Sequence, residues 1–451
     1  MEFHSLLVLR DGRPVREQYW APYVEADRAL VYSASKTFTA SAVALAVAEG
    51  RFALDDRIVA LLPDAWASLD VQDESVAELT VHHVLSMSTG HDADTLVAFE
   101  SVPPADWAPV FLSTPPQTPV GSRHVYNNGA SWILGELIRR HTGEDLLDYL
   151  RPRLLEPLGI DATWDRDGLG RCFGWTGIHV RTHDLAAMGE LYRCDGVWRG
   201  RRLLPEGYVA RATTAQIPTI EDKADWCFGY GYQLWLGREG YRLDGAYGQF
   251  SLVLPDRGLV IAITSAQPCT QVLLDVVWDV LLPELETVPQ ELPAETVPEE
   301  GAQQPSRRAA ATSLPLPTDS GLGTDWSAPG PVPLDERLVS SPDPQANPPA
   351  VGDLHARRDG SGFRVGFMTG GQPFELIAGS GEWVRQRVAL GDVRVPVAAA
   401  AGASADGALD MRLVFTDGPH TLLLRLAGAA TGLAWGTVPL QGGDLAGMVA
   451  R

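Results

Sequence analysis

Ser33 and Lys36 lie three residues apart in the stretch VYSASKTFTA, at the start of a predicted helix. Residues at positions i and i+3 share one helix face, so the lysine amine can reach the serine hydroxyl. Serine needs a base to act as a nucleophile at neutral pH, and a buried lysine with a depressed pKa can be that base. Arginine cannot, because it stays protonated. The alternative is a surface lysine near a helix start.

The rarity of lysine gives this position weight. The chain has 36 basic Lys and Arg residues, and only Lys36 and Lys223 are lysines. A chain that otherwise uses arginine for positive charge therefore carries a lysine where a removable proton is useful. An arginine-rich composition can also reflect the genome alone.

A Tyr-x-Asn triplet, Tyr126 to Asn128, lies in HVYNNGASW just before a second predicted helix. The tyrosine can share a proton with Lys36, and the asparagine amide can hold that lysine or a substrate carbonyl. The alternative is that Asn127 or Asn128 is simply the N-cap of the helix.

A third feature is the strand-like stretch YRLDGAYGQF, which contains Gly245 and Gly248. Glycines within a strand indicate close approach by a ligand or another backbone, or else a β-bulge.

In this order and spacing, the three features resemble the serine β-lactamase and penicillin-binding-protein superfamily, specifically its class C and esterase branch. The stretches LTVHHVLSMSTGHD, GSRHVYNNGASWILGELI and DGAYGQFSLVLPDRGLVIAITS also resemble uncharacterised serine hydrolases of that family. The resemblance covers residues 3 to about 285. It implies an α+β, β-lactamase/transpeptidase-like fold, in which an antiparallel sheet is flanked by helices and joined to a helical subdomain.

The resemblance also implies a mechanism. Ser33 attacks a carbonyl with help from Lys36 and Tyr126, and water hydrolyses the resulting acyl-enzyme. The backbone N–H groups of Ser33 and Ala246 are expected to form an oxyanion hole. The residues expected to contact substrate are Asn128, Leu243, Gly245 and Ala246.

The third motif departs from the family pattern. Aligning Gly245-x-x-Gly248 puts Leu243 where relatives carry lysine or histidine, and Arg242 should point to the opposite face of the sheet. Leu243 is then expected to face the cleft. The sequence therefore favours an esterase-like hydrolase of uncharged esters or amides. The alternatives are a β-lactamase or D-amino-acid peptidase, or a non-catalytic binding protein on the same fold.

Other polar residues give weaker signals. His82, His83 and His91 have no carboxylate pattern that would complete a metal site, so neither a metal nor any other cofactor is predicted. By family position, His91 and Asp92 are candidates for the lining of the cleft.

The patterns along the chain predict the elements that position these groups. A hairpin in LLVLRDGRPVREQYW and three strand-like stretches after residue 228 enclose a mainly helical segment. This order predicts an α+β layout whose antiparallel sheet is assembled from both ends of the segment. Residues 283 to 349 then hold 14 of the 33 prolines, which is typical of an extended linker. We predict a hydrolase domain over 1–285, a Pro- and Glu-rich linker over 286–349, and a small all-β domain over 350–451.

Composition limits the partners. A net charge of −21 argues against nucleic acid and anionic membranes. The start, MEFHSLLVLRDG, lacks the basic region of a signal peptide, and no apolar run is long enough to span a membrane. We therefore expect a cytoplasmic protein, unless the native N-terminus has been cut away, with a small-molecule ester or amide as its partner. No oligomeric state is predicted.

Overall fold

The computed structural model describes residues 1–219, 224–287, 312–321, 325–332, 351–440 and 445. The chain divides into two compact units. One consists of Met1, Leu6–Gln18 and Val31–Ala309, and the other consists of Glu2–Ser5, Tyr19–Leu30 and Ala310–Arg451. The domain and linker boundaries drawn from the sequence stay a prediction, because most of 286–349 lies outside the described residues.

Among the described residues, the α-helices all belong to the first unit. In chain order they are α1 (Ser35–Ala48), α2 (Ile58–Leu61), α3 (Pro63–Ala67), α4 (Val81–Leu85), α5 (Leu96–Phe99), α6 (Trp107–Leu112), α7 (Asn128–Thr142), α8 (Leu146–Leu150), α9 (Glu156–Leu158), α10 (Thr182–Arg193), α11 (Tyr208–Ala212), α12 (Thr270–Val276) and α13 (Leu282–Thr287). Among the described helices, none has the length and apolar character needed to cross a membrane.

The strands of both units are numbered together along the chain. Up to residue 265 they are β1 (Phe3–Arg10), β2 (Arg13–Ala21), β3 (Ala29–Leu30), β4 (Thr163–Trp164), β5 (Ile178–Val180), β6 (Val197–Trp198), β7 (Arg201–Arg202), β8 (Trp235–Gly237), β9 (Gly240–Gly245), β10 (Gln249–Leu254) and β11 (Leu259–Ser265). The later strands are β12 (Thr312–Ser313), β13 (Asp325–Pro331), β14 (Val351–Asp359), β15 (Gly362–Thr369), β16 (Gln372–Ser380), β17 (Val384–Leu390), β18 (Val393–Ala403), β19 (Leu409–Phe415), β20 (Thr421–Leu426) and β21 (Gly432–Thr437).

The main sheet of the first unit takes strands from both ends of that unit, in the order β2-β1-β11-β10-β9-β8. The pairs β8/β9, β9/β10 and β10/β11 are antiparallel. The turn between β10 and β11 is formed by Pro255–Arg257, and Gly258 closes it in the left-handed conformation with φ 64°. The predicted α+β layout is thus confirmed.

Helix α1 is the central helix of the first unit. Its sequence, SKTFTASAVALAVA, is rich in small residues, and 11 of its 14 residues are buried. A helix buried on nearly every side must approach its neighbours closely, which short side chains allow. The helix ends at Ala48, and Gly50 follows with φ 69°. Any polar side chain on α1, including Lys36, is therefore held inside the protein.

The second unit contains a nine-stranded sheet, and the predicted C-terminal all-β domain is confirmed. Its order is β13-β14-β15-β16-β18-β19-β20-β21, and β17 pairs with β18. Strand β14 shows the period-two pattern of burial that fills a core from one face. The short strand β12 lies apart from this sheet and pairs in parallel with Trp20 and Ala21 of β2.

Candidate active site

Ser33 lies in a tight turn just before α1. The turn, Tyr32–Ala34, is a 3-10 helix, and Tyr32 adopts a φ of 47°. A positive φ is uncommon for a residue with a Cβ and costs backbone energy unless its surroundings fix it. The Tyr32 ring packs edge to face with Tyr247, at 5.7 Å between ring centroids. Tyr247 also has a positive φ, of 62°.

The end of β9 is pressed against the chain that leads into this turn. A Cβ at Gly245 would overlap the carbonyl oxygen of Val31. A glycine in this strand was predicted to mark either the close approach of a ligand or backbone or a β-bulge. At Gly245 the structure shows the close approach of another backbone segment. Ala246 follows directly after this contact. Its N–H and that of Ser33 stay a predicted oxyanion hole.

The amine of Lys36 is held by three oxygen atoms. Nζ lies 3.1 Å from Ser33 Oγ, 2.7 Å from Asn128 Oδ1 and 2.7 Å from the carbonyl oxygen of Trp175. The amide and backbone carbonyl oxygens can only accept hydrogen bonds. In a neutral amine they engage both N–H bonds and leave the nitrogen lone pair for Ser33. The geometry suits transfer of the serine proton to the lysine.

Burial lowers the pKa of Lys36 to about 7, since only 1% of its surface is exposed and water cannot solvate the ammonium form. The negative charges of Asp94 and Asp244 oppose this effect. A substantial fraction of the amine is therefore neutral at physiological pH and able to accept a proton.

Tyr126 is hydrogen-bonded to Ser33, and burial raises its pKa well above the usual range, so the phenol stays protonated. Its ring lies 4.8 Å from Lys36 Nζ and stacks on Trp235 at 5.9 Å. Tyr230 packs edge to face on the same indole at 4.9 Å. These aromatic contacts fix the direction of the phenol oxygen.

The two asparagines of the second motif have separate roles. Asn127 is the N-cap of α7, and its side chain accepts from the N–H of Ala130 at 3.1 Å. Asn128 uses its amide oxygen for Lys36 and donates its amide nitrogen to Asp94 Oδ2 at 2.6 Å. The sequence left open whether the asparagines of the Tyr-x-Asn motif cap the helix or contact Lys36. In the structure Asn127 caps α7 and Asn128 contacts Lys36.

Leu243 corrects one sequence expectation. Its side chain has no exposed surface and belongs to the hydrophobic core of the first unit. The expectation that it faces an open cleft was therefore wrong. Arg242 does lie on the opposite face of the strand from Leu243, where its Nε donates to Asp244 Oδ2 at 2.8 Å. The charge of Asp244 acts on Lys36, so this face is the one turned toward the site, and the expectation that Arg242 points away from the site was also wrong.

Sequence reasoning missed Asp94, Asp244 and the Trp175 carbonyl. Asp94 lies in STGHDADTL, where His91 and Asp92 were the candidates. The imidazole of His91 is hydrogen-bonded to the hydroxyl of Thr89 and to the backbone carbonyl of Thr114, which follows α6. Asp92 is exposed. Acidic residues two positions apart look equivalent in the sequence, and only the conformation of the loop distinguishes them.

Comparison with known proteins identifies the family of the chain. A family model described as Beta-lactamase matches residues 4–272. Penicillin-binding protein 4 of Amycolatopsis lactamdurans is 28% identical in an alignment of 283 residues that covers 51% of this chain and 70% of that protein. The 6-aminohexanoate-dimer hydrolase of Paenarthrobacter ureafaciens is 25% identical over 46% of this chain and 55% of its own length. The D-aminopeptidase of Brucella anthropi is 28% identical over 42% of this chain and 39% of its own length.

Solved structures share the fold. A structure from Bacillus anthracis, provisionally described as a 6-aminohexanoate-dimer hydrolase, has a TM-score of 0.55 at 20% identity, over 64% of this chain and 81% of that one. SurE with D-Leu has a TM-score of 0.50 at 21% identity, over 92% of this chain and 93% of that one.

Proposed function

The chain belongs to the beta-lactamase family of serine hydrolases, and we propose that it cleaves amide or ester bonds of small molecules through an acyl-enzyme on Ser33. One observation carries the proposal. The buried amine of Lys36, whose pKa is about 7, lies 3.1 Å from the Ser33 hydroxyl oxygen. A base with a pKa close to the working pH is the most effective kind for this step.

The proton path follows from the contacts. As Ser33 Oγ attacks the substrate carbonyl carbon, its proton passes to the lone pair of Lys36. The negative charge that develops on the carbonyl oxygen is stabilised by the N–H groups of Ser33 and Ala246. The departing amine or alcohol takes a proton from the Tyr126 phenol or the Lys36 ammonium. Water then attacks the acyl-enzyme carbonyl and passes its proton to Lys36. The bond between the acyl carbon and Ser33 Oγ breaks, and Ser33 regains its proton from the Lys36 ammonium.

The charges around the site favour an uncharged acyl group. Among the described residues, Arg242 is a cation on the face of β9 that carries Asp244, and its guanidinium is engaged by Asp244 and by the backbone carbonyl of Asp225 at 2.8 Å. Asp94 and Asp244 add negative charge. A substrate carboxylate at the scissile bond would thus find little compensation. We propose neutral esters and amides, including the peptide or oligoamide bonds that the names of the relatives describe.

The second candidate is a D-amino-acid peptidase or β-lactamase activity. The similarity to a D-aminopeptidase and to a penicillin-binding protein favours it. A non-catalytic binding protein on the same fold is the third reading. The close assembly of Ser33, Lys36 and Tyr126 argues against it, because a binding protein has no need of a neutral lysine beside a serine.

The test is covalent labelling followed by a substrate panel. A fluorophosphonate probe reacts only with an activated serine, so we expect it to label the wild type and not Ser33→Ala. Short- and long-chain nitrophenyl esters, D-amino-acid nitroanilides and nitrocefin then separate the candidates. The proposal is wrong if the wild type resists labelling. Turnover of nitrocefin that rivals ester and amide hydrolysis would replace the first candidate by the second.

A further inference from the structure

Asp94 makes a dense set of contacts beside the active site. Its Oδ2 accepts from the Asn128 side-chain amide at 2.6 Å. Its Oδ1 accepts from the backbone N–H groups of Leu96 at 3.0 Å, Asn128 at 2.8 Å and Gly129 at 3.4 Å. The carboxylate is thus fixed against the start of α7, on the far side of Asn128 from Lys36.

We infer that Asp94 is a positioning residue for the proposed acyl transfer, because it turns the amide oxygen of Asn128 toward Lys36 and so directs the lysine lone pair at Ser33. The inference rests on the proposed function. No role for this aspartate follows from the Ser-x-x-Lys or Tyr-x-Asn motifs themselves.

The argument depends on what each group can donate. The two orientations of an amide have almost the same shape, so hydrogen-bond partners decide between them. A carboxylate only accepts, and it therefore holds the NH₂ group of Asn128. If the amide of Asn128 were reversed, its NH₂ would face Lys36 and bind the lone pair of the neutral amine. That lone pair would then be lost to Ser33.

The charge of Asp94 gives a second effect that can be measured. The groups that act on the Lys36 amine are Asp94 from the loop before α5, Asp244 from β9, and the neutral phenol of Tyr126. Asp244 is largely compensated by Arg242, at 2.8 Å. Removing the charge of Asp94 should therefore lower the pKa of Lys36.

The chain offers an unusually direct readout, since it has only two lysines. Protein labelled with ¹³C at lysine Cε should give two NMR signals that titrate separately, and Lys223→Arg assigns them. The variants are Asp94→Asn and a matched control, Glu100→Gln, which removes an exposed carboxylate six residues further along the chain. Asparagine can still accept from the start of α7, so we expect Asp94→Asn to fold.

We expect Asp94→Asn to lower the pKa of Lys36 and to lower kcat for ester hydrolysis at least tenfold, with KM changed less than threefold. Glu100→Gln should change neither the pKa nor kcat. A residue that only capped a helix would alter the melting temperature and leave the lysine pKa in place. An unchanged pKa in Asp94→Asn, or an equal shift in Glu100→Gln, overturns the inference.

A double substitution tests the direction of the amide. In Asp94→Asn with Asn128→Asp, the new carboxylate at 128 accepts both from the amide at 94 and from Lys36. The pKa of Lys36 should then rise above that of the wild type, and kcat above this pKa should exceed that of Asp94→Asn. A double variant no better than the single one contradicts the inference.

Two controls keep the outcomes separate. If Asp94→Asn does not fold, Asp94→Glu keeps the charge and displaces the carboxylate, so we expect a near-normal lysine pKa with a reduced kcat. An undiminished kcat in that variant counts against positioning. Failure of the proposed function appears as hydrolysis that survives Ser33→Ala, while the lysine titration still reports on the Asp94–Asn128–Lys36 contacts.

Discussion

Replacing Lys36 by methionine should change how the stability of the first unit depends on pH. The amine has a pKa of about 7 when folded, against 10.5 as its ordinary value. Between these values the unfolded chain binds a proton that the folded chain does not, so the free energy of unfolding rises with pH. Each unit of pKa shift corresponds to about 1.4 kcal/mol, which makes the full penalty at low pH about 5 kcal/mol.

Methionine keeps the length of the side chain and cannot titrate. It also leaves the oxygens of Asn128 and Trp175 without a donor, at about 1–3 kcal/mol each, but that loss is nearly the same at every pH. The pH dependence therefore isolates the lysine. From pH 7 to pH 9 the wild type should gain about 2 kcal/mol relative to Lys36→Met. From pH 5 to pH 7 the difference should change by only about 0.4 kcal/mol.

The measurement is urea unfolding of the unit that contains Lys36, in both proteins, at pH 5, 7 and 9. Lys223→Arg is the control and should follow the wild type at each pH. A difference between wild type and Lys36→Met that stays constant from pH 7 to pH 9 would refute the reasoning. The lysine would then keep its ordinary pKa and could not act as the base.

Further outcomes are expected from the same contacts. Ser33→Ala should abolish acyl-enzyme formation, seen by intact mass after incubation with an ester, and should change stability by about 1 kcal/mol or less. Lys36→Arg keeps the charge but removes the base, so kcat should fall by a factor on the order of 10² or more, and the rise of wild-type kcat/KM with pH through about 7 should disappear. Leu243→Lys places an ammonium in the core and should cost about 3 kcal/mol or more by urea unfolding, whereas Leu243→Met should cost less than about 1.5 kcal/mol. Limited proteolysis should cut between about 285 and 350, and a fragment of residues 1–285 that lost ester hydrolysis would contradict the predicted domain boundary.

The contact between Ser33 and Lys36 could be predicted because it is local. Two residues three positions apart on a helix meet whatever the rest of the fold does. The same holds for the end of α1 beside Gly50 and for the turn at Pro255–Arg257. In each case a few neighbouring residues are enough to determine the local backbone conformation.

The third motif shows where local reasoning failed. Alternation along β9 correctly separated Leu243 from Arg242, because strand geometry has a period of two. Alternation does not say what covers each face. The core of the first unit closes over Leu243, and its apolar side chain joins that core. The substrate preference was predicted on the assumption that Leu243 is exposed. Whether it is exposed depends on how other elements pack against β9, which the sequence does not show.

The sequence by itself determined the contact between Ser33 and Lys36, the fold class and the family of this protein, since these follow from local spacing and ordered motifs. Only the tertiary structure decided the direction of the lysine lone pair. That direction depends on Asn128 and Trp175, which lie 92 and 139 positions from Lys36 in the chain. It also depends on Asp94, whose carboxylate faces the start of α7. Contacts over such separations arise from the packing of buried helices and loops, and no short stretch of sequence specifies them.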